Sequence, residues 1–205
     1  GLVEALRIVK DEGEVARIEA AARIADAALA EVRHLLLEGP TESEFGLALD
    51  TAIRRLGAEG TSFETIVASG PNGAKPHHRP GDRRVVEGDL VVVDFGALVD
   101  GYCSDMTRTL MVGEPSPTQQ RMLDVVAASQ QAGVGAVAAG VATAAVDAAC
   151  RKVIEEAGWG EAFVHGTGHG VGLLIHEDPR VAATATATLA PGHVVVIPDT
   201  VEREI

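Results

Sequence analysis

The order of helical and strand patterns constrains the fold of this chain more than any other feature. Apolar residues recur at helical spacing from Leu2 to about Glu38, where Gly13 is expected to separate a lead-in from a long helix. A capping box, Thr41-Glu42-Ser43-Glu44, starts a second predicted helix that runs to about Leu56. Strand patterns come next, the first of them from Phe63 to Ala68.

The same order then returns in the second half. Helices are predicted from Thr118 to about Ala139 and from Thr143 to about Ala157, and a region of strands and glycines follows from Phe163 onward. The halves share no sequence identity, so any duplication is architectural. Two rounds of helices followed by strands predict an α+β domain, with the helices on one face of a mostly antiparallel sheet.

Length, charge and cysteine content narrow the class of protein. The 205 residues are enough for a hydrophobic core, and the formal net charge of −13 argues against binding to nucleic acid or to anionic membranes. Cys103 and Cys150 are too few for a disulfide framework and are predicted to be buried, reduced thiols. No apolar run approaches the ~20 residues that span a bilayer, and no signal-peptide pattern is present. The sequence predicts a cytoplasmic domain.

Two aspartates in a predicted hairpin are the first candidates for a site. Asp94 interrupts the apolar strand Leu90–Gly96, and Asp105 lies on the returning strand Tyr102–Met111. If the turn centres on Val99-Asp100, the two aspartates are directly opposed; if it centres on Asp100-Gly101, Asp94 faces Thr107 and Asp105 is its diagonal neighbour. Either register places both carboxylates on one face, where they share a cation or a proton. The alternative is a bulge cap at Asp94 and a solvated turn residue at Asp105.

Histidines supply the second set of candidates. Five of the seven fall in two glycine-rich segments, as His77-His78 and as His165, His169 and His176. His169 and His176 are an odd number of residues apart, so only a bend or a bulge in the glycine run brings both to one cavity. A flexible glycine loop with surface histidines is the alternative. Together with the two aspartates, these segments predict a divalent metal site of carboxylate and imidazole ligands.

Three stretches resemble a known family. RIVKDEGEVARIEAAARIADAAL, SGPNGAKPHHRPGDRRVVEGDLVVVDFGALVDGYCSDMTRT and HGTGHGVGLLIHEDP are similar to the pita-bread metallopeptidases, and more to their Xaa-Pro dipeptidase and aminopeptidase P branch than to methionine aminopeptidase. The resemblance covers nearly the whole chain. It implies a pita-bread fold, with pseudo-twofold helices packed on one face of a curved sheet. It also implies that residues 1–205 form a catalytic domain without the N-terminal domain of full-length relatives.

The same resemblance implies a role for each candidate residue. Asp94, Asp105 and His169 would bind two divalent metal ions, which could be manganese, cobalt or zinc. His77 and His176 would be catalytic, and His165 would line the substrate pocket. The implied reaction is hydrolysis of the peptide bond before proline by a water that both metals activate. The substrate would be a peptide or dipeptide with proline at the second position, and the chain could form a homodimer.

The end of the chain departs from the family pattern. The resemblance implies two glutamate ligands, the first in a motif that LAPGHVVVIP matches except that Pro198 stands at the glutamate position. IPDTV resembles the second glutamate motif, with Pro198 again in place of glutamate. Three explanations are open: the residues between the two motifs are lost, the site is degenerate, or Glu202 or Glu204 substitutes.

These departures lead to an expectation of impaired metal binding. With both glutamates missing, the chain is expected to hold one metal ion or none and to be nearly inactive. Two other readings of function stay open. One is a pita-bread module that binds peptides or a protein without catalysis, and the other is a methionine aminopeptidase.

Overall fold

The computed structural model describes residues 1–75 and 77–198 of the chain. Within these residues the α-helices are α1 (Leu2–Ile8), α2 (Glu12–Val32), α3 (Glu42–Arg55), α4 (Pro117–Ala136) and α5 (Thr143–Glu156). Short 3-10 helices form at Arg33–Glu38, Gly70–Ala74 and Gly160–Ala162. The predicted helices are therefore confirmed, with ends shifted by a few residues.

Nine strands are present in the described part of the chain. They are β1 (Gly60–Thr61), β2 (Ile66–Ser69), β3 (Leu90–Phe95), β4 (Ala97–Val99), β5 (Tyr102–Cys103), β6 (Met106–Met111), β7 (Gly168–Gly170), β8 (Glu177–Val181) and β9 (Val195–Val196). They form three antiparallel sheets in the orders β1-β4-β5, β2-β3-β6 and β8-β7-β9. The first two sheets belong to the first half of the chain and the third to the second half.

Polar caps decide where the long helices of the first half begin. The side chain of Asp11 accepts the N–H of Glu14 and the side chain of Glu14 accepts the N–H of Asp11, so a capping box starts α2. The expected division at Gly13 is wrong, because this cap places the break before Glu12 and leaves Gly13 inside the helix. The predicted box between Thr41 and Glu44 is confirmed at the start of α3.

The hairpin adopts the second of the two predicted registers. Its turn residues, Asp100 and Gly101, have φ values of 47° and 79°, and positive φ at both positions is the requirement of a type I′ turn. Val99 pairs with Tyr102 in this turn, and further along the strands Asp94 pairs with Thr107. Asp105 is therefore the diagonal neighbour of Asp94 on the same face.

Each strand of the hairpin is interrupted, which the sequence did not predict. The interruptions fall at Gly96 and at Ser104-Asp105, where the hairpin passes from one sheet to the next. The Ser104 hydroxyl accepts the N–H of Ala97 at 2.9 Å, and a Cβ at position 96 would lie only 1.9 Å from the Ser104 carbonyl oxygen. Glycine is required at position 96 because the two chains approach so closely there.

The helices pack on the sheets, and the first half holds the larger core. α2 contacts β4 and β5, α3 contacts β1 and β2, and α5 contacts β8. The largest apolar cluster surrounds Phe45 and Phe95, whereas a small cluster of Val146, Val181 and Leu189 lies in the second half. Both cysteines are buried and free, as predicted. Among the described helices, none has the length and apolar character needed to cross a membrane.

Candidate active site

Asp94 and Asp105 lie at the point where the hairpin changes sheets. The Asp94 carboxylate accepts a hydrogen bond from the Thr107 hydroxyl at 2.9 Å across the β3–β6 pair. Asp105 occupies the gap between β5 and β6, and its side chain is only 9% exposed. The two aspartates face the same cavity, as both predicted registers required.

His169 reaches this cavity from the second half of the molecule. It lies in β7, which pairs with β9 on one side and has a register shift against β8 on the other. A Cβ at Gly168 would lie 1.9 Å from the Val196 carbonyl oxygen, so the glycine allows β9 to approach β7. His169 Nε2 is 3.2 Å from Asp105 Oδ2, and this contact joins the two halves of the chain.

His176 meets His169 because the chain bends after β7. Residues 172–176 form bends rather than a regular strand, and the two imidazole rings lie edge to face with centroids 4.4 Å apart. The sequence predicted that only a bend or bulge could bring these rings together, and the structure has bends at residues 172–176 and a register shift between Gly168 and Gly170. The glycine segment is therefore shaped for the cavity and is not a loop of surface histidines.

The pKa values of the two rings are shifted in opposite directions. Burial disfavours protonation of His169, but the Asp105 carboxylate and the Gly170 carbonyl outweigh burial and raise the pKa of His169 above its usual value. Burial lowers the pKa of His176, and repulsion from His169 and Arg180 lowers it further. Near neutral pH, the ring of His176 is therefore neutral.

All six predicted site residues line one cavity of 410 Å³. They are His77, Asp94, Asp105, His165, His169 and His176, and Pro198 lines the same cavity. His77 and His176 are exposed, whereas the other four are half-buried. An adjoining groove of 740 Å³ continues from the histidines to α1 and Arg180. The structure therefore brings together the six residues to which the sequence assigned a role.

Glu42, which the sequence analysis did not nominate, supports the first half of the site. Its side chain is fully buried at the start of α3, and its carboxylate accepts hydrogen bonds from Ser69, Asn72, His78 and Gly81. All four donors belong to the segment that carries His77. The sequence offered no signal for this role, because an acidic residue in a first helical turn is usually a solvated partner of the helix dipole.

Asp147 supports the second half in a similar way. It is fully buried in α5, accepts hydrogen bonds from both the N–H and the hydroxyl of Thr167, and forms an ion pair with Arg151 at 3.0 Å. Arg151 also donates to the carbonyl oxygens of Phe163 and His165, and its guanidinium lies 4.5 Å from the centre of the Phe163 ring. The i,i+4 spacing of Asp147 and Arg151 was a sequence signal for the ion pair.

The N-terminal segment fixes the bend that carries His176. Arg7 and Lys10 both pair with Glu177, the residue after His176, and the Lys10 side chain is almost fully buried. Burial raises the pKa of the Glu177 carboxyl, but the Leu174 N–H and the two cations outweigh burial and lower it. Glu177 is therefore a carboxylate that anchors the bend to α1.

The described donor atoms do not fit the pair of divalent ions that the resemblance implies. Among residues 1–75 and 77–198, no three His, Cys, Asp or Glu side chains are grouped so as to hold a metal ion. Both ring nitrogens of His169 face oxygen acceptors, on Asp105 and Gly170, as in a protonated imidazole. Pro198 lines the cavity without a donor. Glu202 and Glu204, the expected substitutes, lie outside the described residues.

Sequence comparisons match this chain to a peptidase family and to individual peptidases. Residues 16–202 match metallopeptidase family M24. The Xaa-Pro dipeptidase of Pyrococcus furiosus is 39% identical over 196 residues, which are 96% of this chain and 56% of that protein. An uncharacterised peptidase of Bacillus subtilis, YqhT, is 40% identical over 195 residues, which are 95% of this chain and 55% of that protein.

Structural comparisons agree with these relatives. An Xaa-Pro dipeptidase from Bacillus anthracis superimposes with a TM-score of 0.94 at 42% identity, over 96% of this chain and 56% of that one. An X-Pro aminopeptidase from Thermotoga maritima gives 0.90 at 38% identity, over 96% and 56%. The predicted pita-bread α+β fold is confirmed, and the chain spans a little over half the length of the proteins it matches. By sequence and by fold, the chain belongs to metallopeptidase family M24.

Proposed function

We propose that residues 1–205 are the catalytic domain of a peptidase that hydrolyses the bond before proline. The observation that carries this proposal is the convergence of Asp94, Asp105, His169, His77 and His176 on one cavity. The names of the relatives, Xaa-Pro dipeptidase and X-Pro aminopeptidase, support the same substrate class. We expect a peptide or dipeptide with proline second to bind in this cavity and in the adjoining groove.

The residues of the cavity suit recognition of a peptide carbonyl. His176 has a lowered pKa, so near neutral pH its ring offers one donor and one acceptor. We expect His77 and His176 to donate hydrogen bonds to the oxygen of the scissile carbonyl, and His165 to contact the substrate from the second half. Arg151 and Glu42 hold the backbone segments on which these rings stand.

We also propose that this 205-residue chain binds metal weakly. Asp94, Asp105 and His169 line one cavity but are not grouped as a ligand set in the described structure, so we expect them to hold a divalent cation only weakly, with manganese, cobalt or zinc as the expected ions. The site has Pro198 where the resemblance implies a carboxylate, and His169 is engaged by Asp105. Weak metal binding predicts slow hydrolysis.

Metal titration of the purified chain tests this proposal. We expect at most one weakly bound Mn²⁺ per chain by calorimetry, and slow hydrolysis of Ala-Pro. Asp105→Asn should remove the remaining binding, and Pro198→Glu should tighten it by adding a carboxylate to the cavity. Asp124→Asn, which changes an exposed carboxylate on α4, is the matched control. Two tightly bound ions per chain with rapid Ala-Pro hydrolysis would overturn the proposal of impairment, and faster cleavage of Met-Ala would reassign the substrate.

A binding module without catalysis is the second candidate. The presence of Pro198 in the cavity and the direct contact of His169 with Asp105 favour it. Saturable binding of Ala-Pro with no hydrolysis at any Mn²⁺ concentration would support this candidate. Under either candidate function, we expect the chain to act in the cytoplasm. We also expect a homodimer, which light scattering in solution would test.

A further inference from the structure

The segment that carries His77 is folded around one buried carboxylate. Glu42 Oε1 accepts the Ser69 N–H at 2.8 Å, the Ser69 hydroxyl at 2.7 Å and the Asn72 amide at 2.9 Å. Oε2 accepts His78 Nε2 at 2.7 Å and the Gly81 N–H at 3.2 Å. Five hydrogen bonds therefore reach one side chain that is 0% exposed.

These bonds flank His77 on both sides. Asn72 and Ser69 precede it, His78 follows it directly, and Gly81 closes the segment. His77 itself is exposed and lines both the cavity with Asp94 and Asp105 and the adjoining groove. A ring on an exposed loop has many conformations, and bonds on both sides of it restrict the backbone from which it projects.

Carboxylate chemistry suits Glu42 for this task better than an amide would. Burial would raise the pKa of the Glu42 carboxyl, but the hydrogen bonds from Asn72, His78 and Ser69 outweigh burial and lower the pKa to about 2. The group is therefore ionised, and an ionised carboxylate accepts at both oxygens. A glutamine would present an N–H₂ donor to one of the two sets of donors.

An ion pair between Arg83 and Asp89 also supports this segment, at Ser69. Arg83 donates to the Ser69 hydroxyl at 2.6 Å and forms a two-point pair with Asp89 at 2.6 and 2.9 Å. Arg83 therefore reaches Glu42 only through the Ser69 hydroxyl and does not form a hydrogen bond with its carboxylate. Beyond Ser69, where His77 lies, the segment is held by Glu42 and, at its far end, by bonds from Ser43 to the carbonyl oxygens of Pro80 and Gly81.

We propose that Glu42 is a positioning residue for His77: its carboxylate fixes the backbone of residues 69–75 and 77–81 and the tautomer of His78, and thereby sets the place of the His77 ring in the cavity. This inference rests on the proposed function for the importance of His77, but the geometry it claims is independent of activity. Bonded to a carboxylate, His78 must carry a proton on Nε2.

Glu42→Gln gives a signature that a purely structural role does not predict. If the glutamine oxygen stays with Ser69 and Asn72, its N–H₂ group faces His78, and His78 must accept through Nε2 and carry its proton on Nδ1. ¹⁵N NMR of histidine-labelled protein above pH 8 should show the Nε2–H form in the wild type and the Nδ1–H form in the variant. The His77 resonances should shift as well.

Hydrogen exchange supplies the second measurement. Loss of bonds to a charged acceptor should speed amide exchange in residues 70–82 by about tenfold or more, with helix α3 itself unchanged. Glu44→Gln is the matched control, because it lies on the same turn, is exposed, and keeps an acceptor for the capping box. It should leave the His78 tautomer, the His77 resonances and the exchange rates as in the wild type.

Several results would overturn the inference. An Nδ1–H tautomer of His78 in the wild type, or unchanged exchange and unchanged His77 resonances in Glu42→Gln, would each contradict it. If Glu42→Gln does not fold, His78→Phe removes one bond within the segment and should shift His77 while exchange at Ser69 stays slow; unshifted His77 resonances would refute the claim. Absence of Ala-Pro hydrolysis in every variant would count against the proposed function alone.

Discussion

Each half of the molecule holds one of its pocket histidines through a buried carboxylate, but the partners of the two carboxylates differ. Glu42 on α3 collects mostly neutral donors from the segment around His77. Asp147 on α5 pairs with Arg151, and Arg151 reaches the carbonyl oxygen of His165 at 2.9 Å. Both helices are 14 residues long, and each is the last α-helix of its half.

The difference shows two ways to hold a loop with a buried charge. The Glu42 arrangement spreads the charge over many weak donors, so loss of any one leaves the others in place. The Asp147 arrangement depends on one permanent cation, because arginine stays protonated at all ordinary pH values. The second half should therefore be the more sensitive to a single substitution, and its smaller core offers less compensation.

Removal of the Arg151 charge should give the largest effect. Arg151→Met leaves Asp147 buried with only its Thr167 bonds and removes both donors to the carbonyls of Phe163 and His165. Breaking a buried pair in this way typically costs about 3–5 kcal/mol. Urea unfolding at pH 7 measures the loss, and we expect exchange in residues 163–167 to rise most.

Lys152→Met is the matched control for this prediction. Lys152 is the next residue on α5, and its side chain is 73% exposed beside Glu156. A surface change of this kind is usually worth less than about 0.5 kcal/mol. Equal losses in the two variants would show that the Asp147–Arg151 pair contributes nothing special, and the contrast between the halves would fail.

The stability that Glu42 contributes should be lost in acid, and we expect this loss to be smaller than that caused by Arg151→Met. The pKa of Glu42 is depressed from 4.5 to about 2, so its stabilisation is complete above pH 4.5 and is lost as the pH falls from there towards 2. A shift of this size corresponds to about 3 kcal/mol. The difference in unfolding free energy between wild type and Glu42→Gln should be constant from pH 7 to pH 5 and then shrink.

Glu114→Gln, at an exposed position, should follow the wild type through this acid range. A difference between wild type and Glu42→Gln that stays constant down to pH 3 would mean that the Glu42 carboxyl has the same pKa in the folded and the unfolded chain. The hydrogen bonds to Glu42 would then not favour its charged form, and the contrast with the Asp147–Arg151 pair would lose its electrostatic basis.

The sequence revealed the residues that break local rules and concealed those that obey them. Asp94 stood out because a carboxylate in an apolar strand is costly, and the glycines around His169 stood out because they imply close backbone approach. The Asp100-Gly101 turn contained enough information to choose the register, since both positions need positive φ. These local signals pointed to the two aspartates and to the glycine segment of His169. The α+β class came from the order of helices and strands, and the choice of His77, His165 and His176 also depended on the family resemblance.

Glu42 and Asp147 were missed because helical acidic residues are ordinarily solvated. Their burial depends on segments 27 and 20 residues away in sequence, and nothing local to either residue specifies those contacts. The interruptions at Gly96 and Ser104 were missed for a related reason, because the Ser104 bond to Ala97 exists only once the hairpin has formed. The features that the sequence did not predict therefore depend on contacts between elements that are distant in sequence.

The helix caps of α3 and α5 test the contrast between the two halves directly, with the smallest expected effect on stability. Thr41 caps α3 with its side chain, whereas Ala142 occupies the same position on α5 and has no side-chain bond to offer, although its φ and ψ of −68° and 136° suit a capping residue. Ala142→Ser should therefore stabilise the chain by about 1 kcal/mol, and Thr41→Ala should destabilise it by a similar amount. Urea unfolding of both variants measures the pair. If Ala142→Ser gives no gain while Thr41→Ala shows its loss, the start of α5 is already satisfied by its backbone bonds to Ala187 and Thr188, and the second half depends less on its helix ends than the first.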